Sequence, residues 1–318
     1  MESNVIYLLG AGASAQKTIK HDQGAFPAIP LAHTFGKSIG LELNSLIFSL
    51  FSGEDELKIR FKEFYINKFN EFEKFISKYN TIDEGMRFLY LNNENTKFNE
   101  YKNLIDLIFY LLESVKCNFD SRYPQFLLTL VNNKMQLKEN IKILSWNYDN
   151  QFEHAENDVS YGNKGITLNK NNYHKINGTA SFYTKSDAYS NKSDSDITYV
   201  ANKITSIYSG RSSSIDFAWE ETPQNKTSIQ TKLTEFLKKC PIDDNVLVVI
   251  GYSFPYVNHE YDLQIINGLK INKIYYQNKV DYTDVLKERF MTGSNYLEDI
   301  VYISDCERFY LPNELFLK

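Results

Sequence analysis

Two uninterrupted hydrophobic runs in the chain end at a glycine. Val5–Leu9 leads into Gly10, and Asn245–Ile250, which contains the most apolar stretch, leads into Gly251. Continuous rather than alternating hydrophobic residues predict strands that are covered on both faces, as in a parallel sheet. Further hydrophobic runs predict three more strands, over Ile141–Trp146, Ile274–Tyr276 and Ile300–Ile303.

The long segment that precedes residue 141 has a helical pattern instead. Hydrophobic residues recur there at spacings of three and four, as in the run Phe69–Ile76, and this is the spacing of one helix face. Roughly a hundred such residues exceed an ordinary connection between strands. A further helix is predicted over Thr227–Lys239. We therefore predict an α/β fold with a Rossmann-like parallel sheet, formed by residues 1–35 and 141–318, and a large helical insertion at 36–140.

Composition and charge narrow the class of protein. The 35 basic and 40 acidic residues give a formal net charge of −5, which argues against the broad basic surface of a nucleic-acid-binding protein. The longest apolar-rich stretch, Leu104–Val115, contains Asp106 and Glu113, so no membrane span is predicted. The start of the chain lacks the basic residues and apolar length of a signal peptide. We expect a soluble, cytoplasmic protein.

The cysteines bear on the metal chemistry. Cys117, Cys240 and Cys306 lie far apart and form no Cys-x-x-Cys pair. A disulfide framework needs an even number of cysteines, and a structural zinc site usually needs four closely paired ligands. We therefore expect neither disulfides nor a bound metal, in keeping with a reducing compartment.

The first glycine-ended strand continues as Gly10-Ala11-Gly12-Ala13-Ser14-Ala15, which has the Gly-x-Gly-x-x-Ala pattern of a phosphate-binding turn. Gly10 allows a tight turn, Gly12 lets backbone N–H groups approach a pyrophosphate, and Ala15 allows a helix to pack closely on the strand. A tight turn without a ligand explains the pattern equally well. The proline-containing loop that follows, in place of a second strand and a ribose-binding acid, disfavours an ordinary dehydrogenase.

Two other predicted strands end in groups that suit a ligand. Asn147 and Asp149 present an amide and a carboxylate after one strand, although Asp149 alternatively caps a helix that begins near Gln151. Gly251 and Ser253 follow the other strand, where an ordinary turn is the alternative. Because adjacent parallel strands bring their carboxyl ends to one crevice, the three strand ends together predict a binding site.

Four segments, taken in order, resemble the sirtuin-like proteins of bacteria, which share the NAD-binding fold of sirtuins and act largely in defence against phages. The segments are Gly10–Ser14, Ser145–Glu153, Lys175–Thr179 and Val249–Phe254. Thr81–Glu84 also looks like a recurrent element of the defence members. The resemblance covers both ends and the middle of the chain.

The resemblance implies a role for individual residues. Asn147 matches the residue that positions water near the ribose, and Asp149 matches the one that meets the nicotinamide amide. The positions that match the family's contacts to the phosphates and the adenosine end of NAD are Gly10, Ala11, Gly12, Ser14, Gly251, Ser253 and Asn278.

The chain departs from the family at its catalytic base and at its zinc module. The family's His-Gly motif, whose histidine is the base toward the ribose, reads Asn177-Gly178 here. An amide takes up no proton near neutral pH. His174, three residues earlier, either substitutes for that base or is an ordinary surface or capping histidine. The family's deacylases carry a four-cysteine zinc module, which three scattered cysteines cannot supply.

We therefore predict an NAD+ hydrolase that releases nicotinamide and ADP-ribose, with Asn147, Asp149 and Asn177 at its centre, rather than a zinc-dependent deacylase. The resemblance implies an effector of abortive-infection defence that is silent until a sensor protein or oligomerisation activates it. We expect no nucleic acid, membrane or metal as a partner. The alternative is a module that binds NAD or a related nucleotide without cleaving it, its chemistry lost with the histidine.

Overall fold

A computed structural model describes residues 4–15, 20–21, 24–25, 56–79, 81–115, 120–159, 172–178, 215–220, 223–240, 244–290 and 300–316. The chain forms two compact units. The first combines Met1–Gln16, Phe119–Asn177 and Glu221–Lys318, and the second combines Lys17–Asn118 and Gly178–Glu220. The predicted boundaries of the helical insertion, residues 36 and 140, stay a prediction.

Both units contain α-helices. Those described in the second unit are α1 (Glu56–Ile76), α2 (Ile82–Leu91) and α3 (Asn95–Tyr110), which continues as a π-helical turn over Leu111–Val115. Those described in the first unit are α4 (Arg122–Leu130), α5 (Gln151–Val159), α6 (Pro223–Lys239), α7 (His259–Leu269) and α8 (Thr283–Phe290). The helix predicted over Thr227–Lys239 is confirmed as α6.

The segment Thr81–Glu84 is the start of α2. Thr81 has an extended backbone, and its Oγ1 accepts a hydrogen bond from the N–H of Glu84 at 3.1 Å. This bond satisfies one of the donors that a helix start leaves free. Asp83 and Glu84 lie in the first turn, where negative charge is favourable. The start of this helix therefore explains why Thr, Asp and Glu occur at these positions.

A parallel sheet forms the centre of the first unit. The β-strands of the described residues are β1 (Asn4–Leu9), β2 (Lys20–His21), β3 (Gly24–Ala25), β4 (Ile141–Ser145), β5 (Tyr173–Lys175), β6 (Asn245–Ile250), β7 (Ile271–Gln277) and β8 (Ile300–Ile303). Six of them form an all-parallel sheet in the order β5–β4–β1–β6–β7–β8, and β2 and β3 form a separate antiparallel pair. Counted along the chain, the six strands follow the order 3-2-1-4-5-6 of a doubly wound Rossmann fold. The predicted α/β fold with a parallel sheet is confirmed.

The central strands are buried on both faces, as their unbroken hydrophobic sequence predicts. Val5, Ile6 and Tyr7 of β1 are fully buried, and every residue of β6 is at most 3% exposed. The ring of Tyr7 packs edge-on against Phe126 of α4, with 4.8 Å between the ring centroids. Burying a large apolar side chain stabilises the fold by about 1.5–3 kcal/mol. A strand that is apolar on both faces is therefore most stable in the interior of the sheet, where β1 lies.

The order of the strands reverses between β1 and β6, and a glycine turn follows each of them. The N–H of Gly12 donates to the carbonyl oxygen of Gly251 at 2.8 Å, and the N–H of Gly10 donates to Ile250 at 3.0 Å. Gly251 has a φ of 61°, and a Cβ added there would lie 2.1 Å from the nitrogen of Ala13. The two turns therefore pack backbone against backbone, which only glycine allows.

We predict that Gly251→Ala lowers the free energy of unfolding by more than about 2 kcal/mol, because it combines left-handed backbone strain with a clash against fixed backbone atoms. The control is Gly268→Ala in α7, where the added Cβ meets only the Leu237 side chain, at 2.9 Å. Alanine is favoured inside a helix, so this variant should stay within about 1 kcal/mol of the wild type. Urea denaturation of both variants measures the difference, and equal stabilities would contradict the prediction.

Candidate functional site

The sequence-predicted site residues lie at one edge of the sheet. The strands are parallel, so their carboxyl ends meet there, which is where open α/β sheets bind ligands. The residues that follow the strands at this edge are Gly10–Ser14 after β1, Asn147 and Asp149 after β4, Asn177 after β5, Gly251 and Ser253 after β6, and Asn278 after β7.

The hydroxyl of Ser14 joins three of the site's side chains. Its Oγ lies 2.7 Å from the Tyr123 hydroxyl and accepts from Nδ2 of Asn147 at 3.1 Å. The Ser14 hydroxyl also lowers the pKa of the nearby Asp149 carboxyl group. All four residues are buried, none more than 5% exposed. Ser14, Asn147 and Asp149, predicted from separate motifs, thus form one polar cluster.

Two amide oxygens at this edge have no hydrogen-bond partner among the described residues. The amide of Asn147 donates to Ser14, and that of Asn177 donates to the carbonyl oxygen of Trp146 at 2.7 Å. Their Oδ1 atoms are buried and accept nothing from the described part of the chain. A buried acceptor without a partner costs about 1–3 kcal/mol. Both oxygens are suited to accept hydrogen bonds from a ligand's hydroxyl or amide groups.

Asp149 is a buried carboxyl group whose pKa is displaced. Its Oδ1 accepts from the N–H of Gln151 at 3.2 Å, so the alternative that it caps the helix at Gln151 is confirmed. Burial raises its pKa from 3.8 to about 6, against the opposing effects of the Lys175 charge and the Ser14 hydrogen bond. Nζ of Lys175 donates to the backbone oxygen of Asp149. The carboxyl group is therefore mostly ionised at pH 7 and protonates in mild acid.

His174 faces away from this cluster. Successive side chains of a strand point to opposite faces, and those of Tyr173 and Lys175 reach Glu153 on α5. The ring of His174 instead packs edge-on against Phe236 of α6, with 5.3 Å between ring centroids. Burial lowers its pKa. The structure therefore gives His174 no place beside Asn177 from which to replace a missing base.

The glycine turn uses most of its own N–H groups. Those of Gly10 and Gly12 donate to the neighbouring β6 segment, as described above. The N–H groups of Ala13, Ser14 and Ala15 donate to carbonyl oxygens within the turn, at 2.8, 3.2 and 3.4 Å. This geometry is that of a closed tight turn, and the predicted contacts of Gly10, Ala11, Gly12 and Ser14 with phosphate stay a prediction.

The segment after β6 borders the site with aromatic side chains. The Tyr252 ring stacks on that of Trp146, at 5.8 Å and an interplanar angle of 12°. The Tyr252 hydroxyl lies 3.0 Å from the Asp262 carboxylate, whose pKa is raised by burial. Ser253 is exposed. Asn278 donates to the Tyr276 hydroxyl at 2.9 Å, so this amide group is engaged within its own strand end.

A cavity of about 500 Å³ opens at the opposite, amino edge of the sheet. It is lined by Asn4, Asn132, Lys138, Glu139 and Asn140. We place the candidate site at the carboxyl edge instead. The buried polar groups lie there, among them Asp149 with its raised pKa, and ligands of this fold bind at that edge.

Comparison with models of known protein families finds no match, and no curated protein matches the chain either. The resemblance to sirtuin-like proteins therefore stays a prediction. Within the described residues, no group of three or more His, Cys, Asp and Glu side chains could hold a metal ion. None of the helices found there is both long and apolar enough to cross a membrane. Cys240 and Cys306 are free thiols, and Cys117 lies outside the described residues.

We predict that Asp149 makes the protein less stable as the pH rises from 4 to 7. Between the unfolded pKa near 3.8 and the folded pKa of about 6, the folded state binds more protons, so the free energy of unfolding falls with pH. The expected loss is about 2 kcal/mol over this interval. Asp149→Asn, which keeps the capping oxygen, should lack this loss.

Chemical denaturation at pH 4 and pH 7 measures the effect as the difference between variant and wild type. Glu288→Gln, at an exposed position of α8, is the control for the general effect of removing a carboxylate. An identical pH dependence in the wild type and in Asp149→Asn would show that the folded pKa of Asp149 is not displaced.

Proposed function

We propose that the chain is a sirtuin-like NAD+ hydrolase, which converts NAD+ and water into nicotinamide, ADP-ribose and a proton. The observation that carries the proposal is the buried cluster of Ser14, Asn147 and Asp149 beside the reversal of strand order. Dinucleotides bind at this point in doubly wound folds. The resemblance of the ordered motifs to those of sirtuin-like proteins supports NAD as the specific ligand.

The two free amide oxygens support a ligand that carries hydroxyl groups. Oδ1 of Asn147 and Oδ1 of Asn177 are buried acceptors at the ends of neighbouring strands. In the proposed complex, Asn147 accepts a hydrogen bond from the attacking water near the ribose. Oδ1 of Asn177 accepts one from a ribose hydroxyl, because the Nδ2 group of the same side chain already donates to the carbonyl oxygen of Trp146.

Asp149 supplies negative charge where the reaction develops positive charge. Water attacks C1′ of the ribose while the bond to nicotinamide breaks, and the electron pair leaves with neutral nicotinamide. The intervening state resembles an oxocarbenium ion, which a fixed carboxylate stabilises. The same carboxylate also accepts from the nicotinamide amide. A proton is released to solvent, and the rate lacks the ~10²–10⁴-fold contribution of a general base.

A second candidate function is a module that binds NAD or a related nucleotide without cleaving it. Its support is Asn177 itself, an amide where the family has its base, together with His174 on the opposite face of β5. The defence role and the sensor partner or homo-oligomer come from the resemblance, and the cytoplasmic location is the expectation from the sequence composition. All of these belong to either candidate.

We predict that Asn147→Ala lowers the rate of nicotinamide release from NAD+ by about 10²-fold or more, because oriented polar groups of an active site contribute this much. Chromatography of the reaction of purified protein with NAD+ measures the release. Asn272→Ala is the control, since Asn272 is an exposed amide at the amino end of β7. Equal rates for Asn147→Ala and the wild type would exclude Asn147 as a catalytic residue.

The variant Asn177→His separates the two candidate functions. NAD+ binding is measured by calorimetry beside nicotinamide release. Release by the wild type supports the hydrolase. Binding without release in the wild type, with release restored by Asn177→His, supports the module that has lost its base. A wild type that neither binds NAD+ nor releases nicotinamide, alone and with the proteins that co-purify with it, contradicts both.

A further inference from the structure

Two consecutive residues in the first turn of α4 form hydrogen bonds to two consecutive residues of the glycine turn. Nη2 of Arg122 donates to the carbonyl oxygen of Ala13 at 2.7 Å, and the Tyr123 hydroxyl lies 2.7 Å from Oγ of Ser14. Asp120 in turn fixes the guanidinium of Arg122, with its Oδ1 3.0 Å from Nε. No sequence motif assigns this helix to the site, yet it contacts Ala13 and Ser14, the part of the glycine turn that lies at the polar cluster.

Two of the contacts of Ser14 have a direction that chemistry fixes. Nδ2 of Asn147 can only donate, so Oγ accepts from it. Towards an ionised Asp149 the Ser14 hydroxyl acts as a donor, which lowers the pKa of that carboxyl group. Either of the Ser14 and Tyr123 hydroxyls can donate to the other. When Ser14 donates to Asp149, Tyr123 donates to Ser14, and the single hydrogen of Ser14 is not available to a phosphate oxygen.

Tyr123 is buried and closely packed against aromatic rings. Its side chain is 1% exposed. The Phe309 ring packs edge-on against it at 4.8 Å, and the Phe152 ring does so at 6.2 Å. Burial raises the pKa of Tyr123 well above its usual value, so the phenol keeps its proton and remains a donor. The neighbouring carboxylates of Asp149 and Asp120 act in the same direction.

We propose that Tyr123 is a positioning residue of the site, which orients the Ser14 hydroxyl and, through it, the Asn147 amide and the Asp149 carboxylate. This inference rests on the proposed NAD+ hydrolysis and names a residue of that same site. It also assigns Ser14 to the alignment of Asn147 rather than to the binding of the NAD phosphates. The two roles differ in the kinetic constant that they control.

The test compares Tyr123→Phe with Tyr7→Phe in nicotinamide release from NAD+. Tyr123→Phe removes one hydroxyl and keeps the ring between its aromatic neighbours. Tyr7→Phe removes another buried hydroxyl of the same core, one without a partner among the described residues. A positioning role predicts that Tyr123→Phe lowers kcat about tenfold, while KM and the calorimetric Kd for NAD+ stay within about twofold. Tyr7→Phe should leave all three constants unchanged.

Ser14→Ala adds a readout that is independent of activity. The Ser14 hydrogen bond lowers the pKa of Asp149, so its removal should raise that pKa above about 6, measured by NMR titration of the carboxyl carbon. Ser14→Thr, which keeps a hydroxyl, should restore part of both kcat and the titration.

The outcomes separate this inference from the proposed function. A raised KM or Kd with unchanged kcat in Tyr123→Phe, or an unmoved Asp149 titration in Ser14→Ala, overturns the positioning role and leaves the hydrolase intact. Equal losses of kcat in Tyr123→Phe and Tyr7→Phe also overturn it. No nicotinamide release from the wild type overturns the proposed hydrolysis, and with it the role of Tyr123 in that reaction.

Discussion

The close approach of two backbone turns, at Gly12 and Gly251, is the constraint on which the arrangement of the site depends. Strands β1 and β6 are neighbours at the reversal of strand order, so their turns leave the sheet side by side. The 2.8 Å hydrogen bond between the two glycines leaves no room for a Cβ on either. This contact fixes the end of the β1 turn, and therefore Ser14. Ser14 in turn fixes the amide of Asn147 and the carboxylate of Asp149.

Burying a carboxylate is unfavourable, and local groups compensate only part of the cost at Asp149. The Ser14 hydroxyl and the N–H of Gln151 donate to the carboxylate, and the charge of Lys175 lies close by. The pKa nevertheless stays near 6 instead of 3.8, so ionisation still costs about 3 kcal/mol relative to water. A protein selected for stability alone would be expected to place an uncharged cap at this position. The retained penalty is typical of groups that act on a ligand.

The hydrophobic pattern of the sequence predicts the strands of the sheet better than it predicts the contacts within the site. Unbroken hydrophobic runs predict β1 and β6 because only buried strands require them, but Tyr173–Lys175 carries no such run and becomes β5 through pairing with β4. The meeting of Ser14, Asn147 and Asp149 follows from parallel strands ending at one edge. The contact of Tyr123 with Ser14 could not be predicted, because 109 residues separate them and the packing of α4 decides it.

The chemistry of the free groups also bears on which end of a dinucleotide they recognise. Phosphate oxygens only accept hydrogen bonds, and two free groups at this edge, Oδ1 of Asn147 and Oδ1 of Asn177, are acceptors as well. Nε1 of the buried Trp146 is a donor without a partner among the described residues. The N–H groups of Ala13 and Ser14, which could have donated to a phosphate, already bond within the turn. Ribose hydroxyls and a carboxamide donate, and the nicotinamide ring is cationic, which complements the charge of Asp149. These side chains therefore support recognition of the nicotinamide riboside end, where the proposed cleavage takes place, more directly than recognition of the pyrophosphate.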